Sequence, residues 1–240
     1  MLDLPDNHLS GVLPSNMCHG LHNLEEIDLG GNNFSGAIPA SISNCSKLTG
    51  INLDDNKFSG PIPNSIGNLR RLEILYLVGD NPLNGILPRS IGNLSISVEW
   101  LDVRNSGLRG NIPDSIGNLS NLVLLILSDN SLTGSIPTAI WGLQKLQDLD
   151  LSNNSLTGLL SRGLCGFLWD LKGLEWVNLS SNLLRGPLAP EMGELKNLTR
   201  LDLSNNQFSG KIPSAIWSSE NLDHLSLANN SLQRSIPDNL

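Results

Sequence analysis

The 240 residues are 39% hydrophobic and only 16% charged, a balance that sustains a continuous apolar core and excludes a disordered chain. Aromatics make up 4%, so that core has to be aliphatic. A formal net charge of −8 argues against a nucleic-acid partner, whose phosphates call for a basic stripe. No apolar run is long enough to span a membrane, and residues 1–11 contain no charged leader followed by an apolar stretch.

Self-similarity organises the rest. The phrase LxxLxLxxNxLxGxIP returns from end to end, clearest at Leu122 to Pro137 and Leu198 to Pro213. Its polar position falls in turn on Asn7, Asn32, Asn56, Asn81, Ser106, Asn130, Asn154, Asn182, Asn206 and Asn230. The spacing is 24 or 25 residues except for 28 between Asn154 and Asn182, so the chain is a solenoid of ten stacked units. In each unit the alternating leucines predict a short strand with leucines inward. The Asn that follows, donor and acceptor at once, serves the backbone groups of the turn. The Gly four residues later suits a conformation closed to other residues, and Ile-Pro suits an extended segment. The remaining PxxIGNLxx stretch fits a single 3₁₀ turn on the opposite side.

Taken unit by unit, the pattern also names the residues that face solvent. They are Met1, Asp3, Pro5; Glu26, Asp28, Gly30; Gly50, Asn52, Asp54; and Ile74, Tyr76, Val78. Trp100, Asp102, Arg104; Leu124, Ile126, Ser128; and Asp148, Asp150, Ser152 follow. The series ends with Trp176, Asn178, Ser180; Arg200, Asp202, Ser204; and His224, Ser226, Ala228. Ile74, Tyr76, Val78, Trp100, Leu124 and Ile126 come from three successive units and predict one exposed apolar patch, with Asp102 and Arg104 beside it. An apolar cluster with Trp, Tyr and a charged rim is the composition of a binding surface. Trp141, Trp169 and Trp217 fall on the far side, where filling the core is their expected role, while Trp176 points outward two units from the patch.

Departures from the pattern are local. Ser106 stands at a polar position, with Asn105 beside it as a substitute if the register slips. Leu160-Ser161 and Leu188-Ala189 replace Ile-Pro, residues 163–173 form a bulge, and Arg234 occupies a Gly position. Cys18, Cys45 and Cys165 are odd in number and lack CxxC spacing, so they read as small buried residues rather than a disulfide framework. The four histidines have no metal-ligand spacing.

These phrases resemble the plant-specific class of leucine-rich repeats, whose hallmark is LxGxIP after the Asn turn. The resemblance implies an α/β repeat solenoid: a right-handed superhelix with a parallel β-sheet on its concave face and short 3₁₀ turns on its convex face. SIGNLSISVEW, GNIPDSIGNLSNLVLL, GSIPTAIWGLQKLQ and LTRLDLSNNQFSGKIP look like ectodomains of plant receptor-like serine/threonine kinases, within the subfamily that includes sensors of bacterial protein patterns. That likeness implies an extracellular setting, a peptide or protein ligand, a co-receptor and no cofactor. Any kinase domain would lie outside these residues. The alternative is a secreted inhibitor of pathogen wall-degrading enzymes, which uses the same repeat. Residues 1–240 read as one repeat domain, uncapped and truncated at both ends. No catalytic motif is present, and neighbouring carboxylates such as Asp148 and Asp150 sit on an open sheet. Of eight Asn-x-Ser/Thr sequons, Asn44, Asn93, Asn118 and Asn197 fall on the convex stretch and are the expected glycosylation sites.

Overall fold

A computed structural model describes residues 1–79, 81–94, 96–160 and 171–233. One short strand from each unit enters a ten-stranded, all-parallel sheet. Its members in order are β1 (Leu2–Asp3), β3 (Glu26–Asp28), β5 (Gly50–Asn52), β7 (Ile74–Tyr76), β8 (Trp100–Asp102), β10 (Leu124–Ile126), β12 (Asp148–Asp150), β14 (Trp176–Asn178), β16 (Arg200–Asp202) and β18 (His224–Ser226). The register is the repeat itself: Gly50 pairs with Ile74, Ile74 with Trp100, Trp100 with Leu124 and Leu124 with Asp148. Leu53, Leu77, Val103, Leu127 and Leu151 stack beneath the sheet, fully or almost fully buried.

On the convex side, 3₁₀ turns at Ala40–Asn44, Asn64–Asn68, Arg89–Asn93, Asp114–Asn118, Thr138–Gly142, Pro190–Glu194 and Ser214–Ser218 meet the expectation. Each drops a buried apolar residue into the core, as Ile42, Ile66, Ile91, Ile116 and Ile140 do. Trp141 is buried there too, in its expected core-filling role. In the eighth unit the missing proline is displaced by one place, so that Pro190 opens the turn after an extended Ala189. Residues 163–170 of the bulge, with Cys165 and Trp169, and Arg234 lie outside the described residues, as does the side chain of Trp217.

The polar ladder behaves as its chemistry requires. Asn130 donates from Nδ2 to the carbonyls of Val103 in the preceding unit and of Leu127 and Ser128 in its own. Its Oδ1 accepts from the N–H of Ser106 and Leu108. Among the described residues, the one before a ladder position has a left-handed backbone, as at Asp55, Asn105, Asp129, Asn153 and Asn205. Asn105 is therefore the turn residue and Ser106 keeps the ladder place.

A second, lateral set of parallel strands was not expected from the sequence. Three of them, β2 (Ser10–Val12), β4 (Asn33–Gly36) and β6 (Lys57–Phe58), form one sheet. Six more, β9 (Arg109–Asn111), β11 (Ser131–Ser135), β13 (Ser155–Leu159), β15 (Leu183–Pro187), β17 (Gln207–Gly210) and β19 (Ser231–Leu232), form another. The break falls on the fourth unit, and Ser106 explains it. In intact units the Asn side-chain oxygen accepts an N–H in or beside the neighbouring lateral strand, as Asn81 does for Phe58. The Ser106 hydroxyl instead donates to Leu77 O at 2.6 Å and Arg104 O at 3.0 Å. The Leu83 N–H turns back to Asn81 O, Pro82 brings no N–H, and only an isolated bridge between Ile86 and Arg109 remains. Gly134 keeps the positive φ of 76° that the repeat demands, whereas Gly85 in the broken unit does not have one.

The cysteine reading needs correction. Cys18 and Cys45 form a disulfide, Cα to Cα 5.2 Å, joining the convex turns of the first two units. Their separation of 27 residues is close to one repeat, and stacking brings positions one repeat apart into contact. Local CxxC spacing is blind to that geometry.

Candidate ligand-binding face

The outward residues lie in rows that run across the sheet, perpendicular to the strands. The first holds Glu26, Gly50, Ile74, Trp100, Leu124, Asp148, Trp176, Arg200 and His224. The second holds Asp28, Asn52, Tyr76, Asp102, Ile126, Asp150, Asn178, Asp202 and Ser226 in the same order. Asp54, Val78, Arg104 and Ser128 follow in a third row just past the strands. Every predicted outward residue of the patch is thus on the strand face, and stacking brings them together.

Their exposure is less uniform than the pattern implies. Trp100 is 41% exposed, and Ile74, Tyr76, Val78 and Leu124 are half-buried. Ile126 points the predicted way but is 4% exposed, so it is not part of the accessible apolar surface. Asp102, expected on the rim, is 3% exposed and forms part of the floor. For Asp102 the reason is lateral crowding: strands only about 4.8 Å apart set it between the longer Tyr76 and Ile126, and Arg104 folds back onto it. Alternation reports direction and not depth.

At the centre the rings of Tyr76 and Trp100 stack, centroids 6.4 Å apart and planes 11° from parallel. They belong to adjacent strands but to different rows, so the contact is diagonal. Next to Tyr76 in the second row the Asp102 carboxylate is chelated by Arg104, whose Nε donates to both oxygens and whose Nη2 donates to Oδ2. Burial raises the Asp102 pKa, and the Arg104 bonds pull it back without cancelling the shift. Asp54 accepts the Val78 N–H at 2.6 Å. Burial, aided by the charges of Asp102 and Asp55, raises its pKa from 3.8 to about 6 against the pull of that bond and of Arg104. Tyr76 is raised as well, by burial first and then by Asp102 and Asp54.

Two features were not singled out in the sequence. Gly50 opens a gap in the first row beside the ring pair, producing a depression of about 240 Å³ lined by Glu26, Thr49, Glu73, Ile74 and Tyr76 among others. The residues that lead the strands, one place ahead of the first row, include exposed Glu25, Glu73, Glu99, Glu175 and Asp223 and no cation. Reading only alternate positions hides this row, because these residues precede the alternating strand positions. Trp176 is half-buried, with Asn178, Arg200, Asp202 and His224 around it. Among the described residues no group of His, Cys, Asp or Glu is placed to hold a metal ion, and no helix is long and apolar enough to cross a membrane. The convex sequon residues Asn44, Asn93, Asn118 and Asn197 are all exposed.

Solved structures of the same architecture include ectodomains of plant receptor kinases, and also a plant ice-binding protein. The ectodomain of the Arabidopsis receptor kinase HAESA, solved with the peptide hormone IDA and the co-receptor SERK1, matches 98% of this chain with a TM-score of 0.91 and 38% identity. A TDR receptor structure matches 99% with a TM-score of 0.93 and 32% identity. The chain spans 38% and 40% of those two structures. A curated relative, "Probable LRR receptor-like serine/threonine-protein kinase" of Arabidopsis thaliana, is 46% identical over 43 residues, which are 18% of this chain and 4% of the relative. Models of the leucine-rich repeat match residues 23–83 and 96–156, and again 197–219 and 221–240. With ten units in one ladder and those models covering most of it, the chain belongs to the leucine-rich repeat family.

Proposed function

We propose that this chain is a ligand-capturing segment of a plant receptor-kinase ectodomain, with the concave sheet around Tyr76 and Trp100 as its recognition face. The observation that carries the reading is the stacked, part-exposed ring pair in the middle of a sheet whose outward rows are mostly polar on either side of it. Aromatic side chains held rigid by their neighbours supply contact area at little entropic cost and dominate binding energy. Ile74, Val78 and Leu124 extend the apolar surface around the rings. Asp102 and Arg104 give it a charged floor and edge, and Ile126 supports it from below. The ligand is an extended peptide or protein segment, since an open sheet face fits a chain laid across several strands and offers no enclosed site for a small molecule. The likeness to the HAESA ectodomain, crystallised with a peptide hormone and the co-receptor SERK1, supports this. It also supports a co-receptor as second partner and a kinase carried by the whole protein. Glycans on Asn44, Asn93, Asn118 and Asn197, on the convex side, would leave the sheet clear and suit an extracellular location.

Phage-displayed random peptides of about 12 residues, selected on the immobilised chain, test the reading by measuring what the concave rings contribute. Tyr76→Ala combined with Trp100→Ala is expected to abolish binding of the recovered peptides while the circular dichroism spectrum stays that of the parent. Undiminished binding overturns it.

A further inference from the structure

We infer that the depression floored by Gly50 is a pocket for a basic side chain, so that the ligand of the concave face is an extended peptide carrying arginine or lysine. The inference rests on the recognition face proposed above and specifies the chemistry it selects. Three observations meet at this place. The first is a cavity: the absence of a side chain at Gly50 leaves about 240 Å³ open between Glu26 and Ile74 in the first row. The second is its wall chemistry. Glu26 and the exposed Glu73 line it, with Ile74 and Tyr76 along one side. Carboxylates at the mouth and an aromatic side wall suit the alkyl stem and cationic head of Arg or Lys together, through charge-assisted hydrogen bonds and cation–π attraction.

The third is the distribution of charge over the whole molecule. The strand face and its leading row carry Glu25, Glu73, Glu99, Glu175 and Asp223 together with the acids of the outward rows, against only Arg104 and Arg200. Arg104 is already committed to Asp102. Most of the described Lys and Arg residues, such as Lys47, Arg70, Lys145 and Arg185, lie on the convex turns or the lateral strands. The face is therefore far more negative than the net charge of −8 suggests. A cationic segment would be steered to it and an acidic one repelled.

Gly50 makes the test clean. It has no positive φ, and a Cβ there would meet only Glu26 Cγ at 3.5 Å, an ordinary contact, so Gly50→Val fills the pocket without straining the backbone. Random peptides selected on the native chain are expected to be enriched in Arg or Lys. The best of them, measured by fluorescence anisotropy, should bind about tenfold more weakly to Gly50→Val and to Glu26→Gln with Glu73→Gln, and should weaken as salt is raised. Asp114→Asn with Glu220→Gln, which removes two exposed carboxylates away from this face, should leave binding unchanged. Recovered peptides that are neutral or acidic, or that bind Gly50→Val as well as the native chain, overturn the basic-pocket inference while leaving the recognition face intact. Peptides that survive loss of both rings, or a selection that recovers none, overturn the recognition face and this inference with it.

Discussion

The Arg104 guanidinium folds back onto Asp102, two residues upstream, with Nε 3.0 and 3.2 Å from the two carboxylate oxygens. The arginine side chain is 45% exposed and the aspartate side chain 4%. The pair is therefore asymmetric: solvent can compensate for one partner and not for the other. Together they form a neutral pair that keeps the Asp102 carboxylate from being buried without a partner.

That asymmetry sets the outcome of removing either partner. Arg104→Ala leaves the buried carboxylate without its chelating cation and is expected to cost about 1–2 kcal/mol, below the full cost of breaking a buried pair because the arginine is solvent-screened. Adding Asp102→Asn should recover most of the loss, since the remaining side chain no longer carries an uncompensated charge. Urea unfolding of the single and double variants measures both; a double variant no more stable than Arg104→Ala would contradict the account.

Asp54 links stability to pH. Its folded pKa of about 6 lies above the ordinary 3.8, so the folded chain holds this proton more tightly than the unfolded chain does. Between about pH 4 and pH 6 the folded state therefore binds more protons, and the Asp54 contribution to stability falls as pH rises through that window. Asp54→Asn keeps an oxygen to accept the Val78 N–H and removes the charge that Asp102 and Asp55 oppose. The variant should be more stable than the parent at pH 7 and level with it near pH 4. Thermal melts across that range would reveal a constant difference if the account were wrong.

The ladder residues should differ in cost by the number of bonds each makes. Asn130→Ala removes five bonds and leaves the Val103 carbonyl and the N–H groups of Ser106 and Leu108 unpaired. Leu127 O keeps Asn154 and Ser128 O keeps the Asn105 N–H, and the variant is expected to destabilise by about 2–4 kcal/mol. Ser106→Ala removes two hydroxyl bonds to carbonyls and should cost about 1 kcal/mol. Equal losses in denaturant titrations would mean that the ladder is not what holds neighbouring coils together.

The repeat period, the strand positions, the inward leucines, the Asn ladder and the 3₁₀ turns were all legible in the chain as written, because each depends on contacts within one unit or between identical positions of adjacent units. A 24-residue phrase repeated ten times dictates its own register, and so it also placed Tyr76 and Trp100 side by side. What required the tertiary structure was whatever depends on depth or on unlike neighbours. Ile126 and Asp102 face outward yet are covered, and Asp102 owes this to Tyr76 and Ile126 one strand away on either side and to Arg104 folded onto it. Cys18 and Cys45 meet because stacking converts a separation of 27 residues into contact. Ser106 splits the lateral sheet because its short hydroxyl is turned to Leu77 O and Arg104 O and does not accept the neighbouring N–H, an effect felt one unit upstream at Leu83. The Gly50 depression exists only because Glu26 and Ile74 pair on either side of it. Periodicity is a property of the chain, whereas the shape and charge of a surface belong to neighbours that only folding brings together.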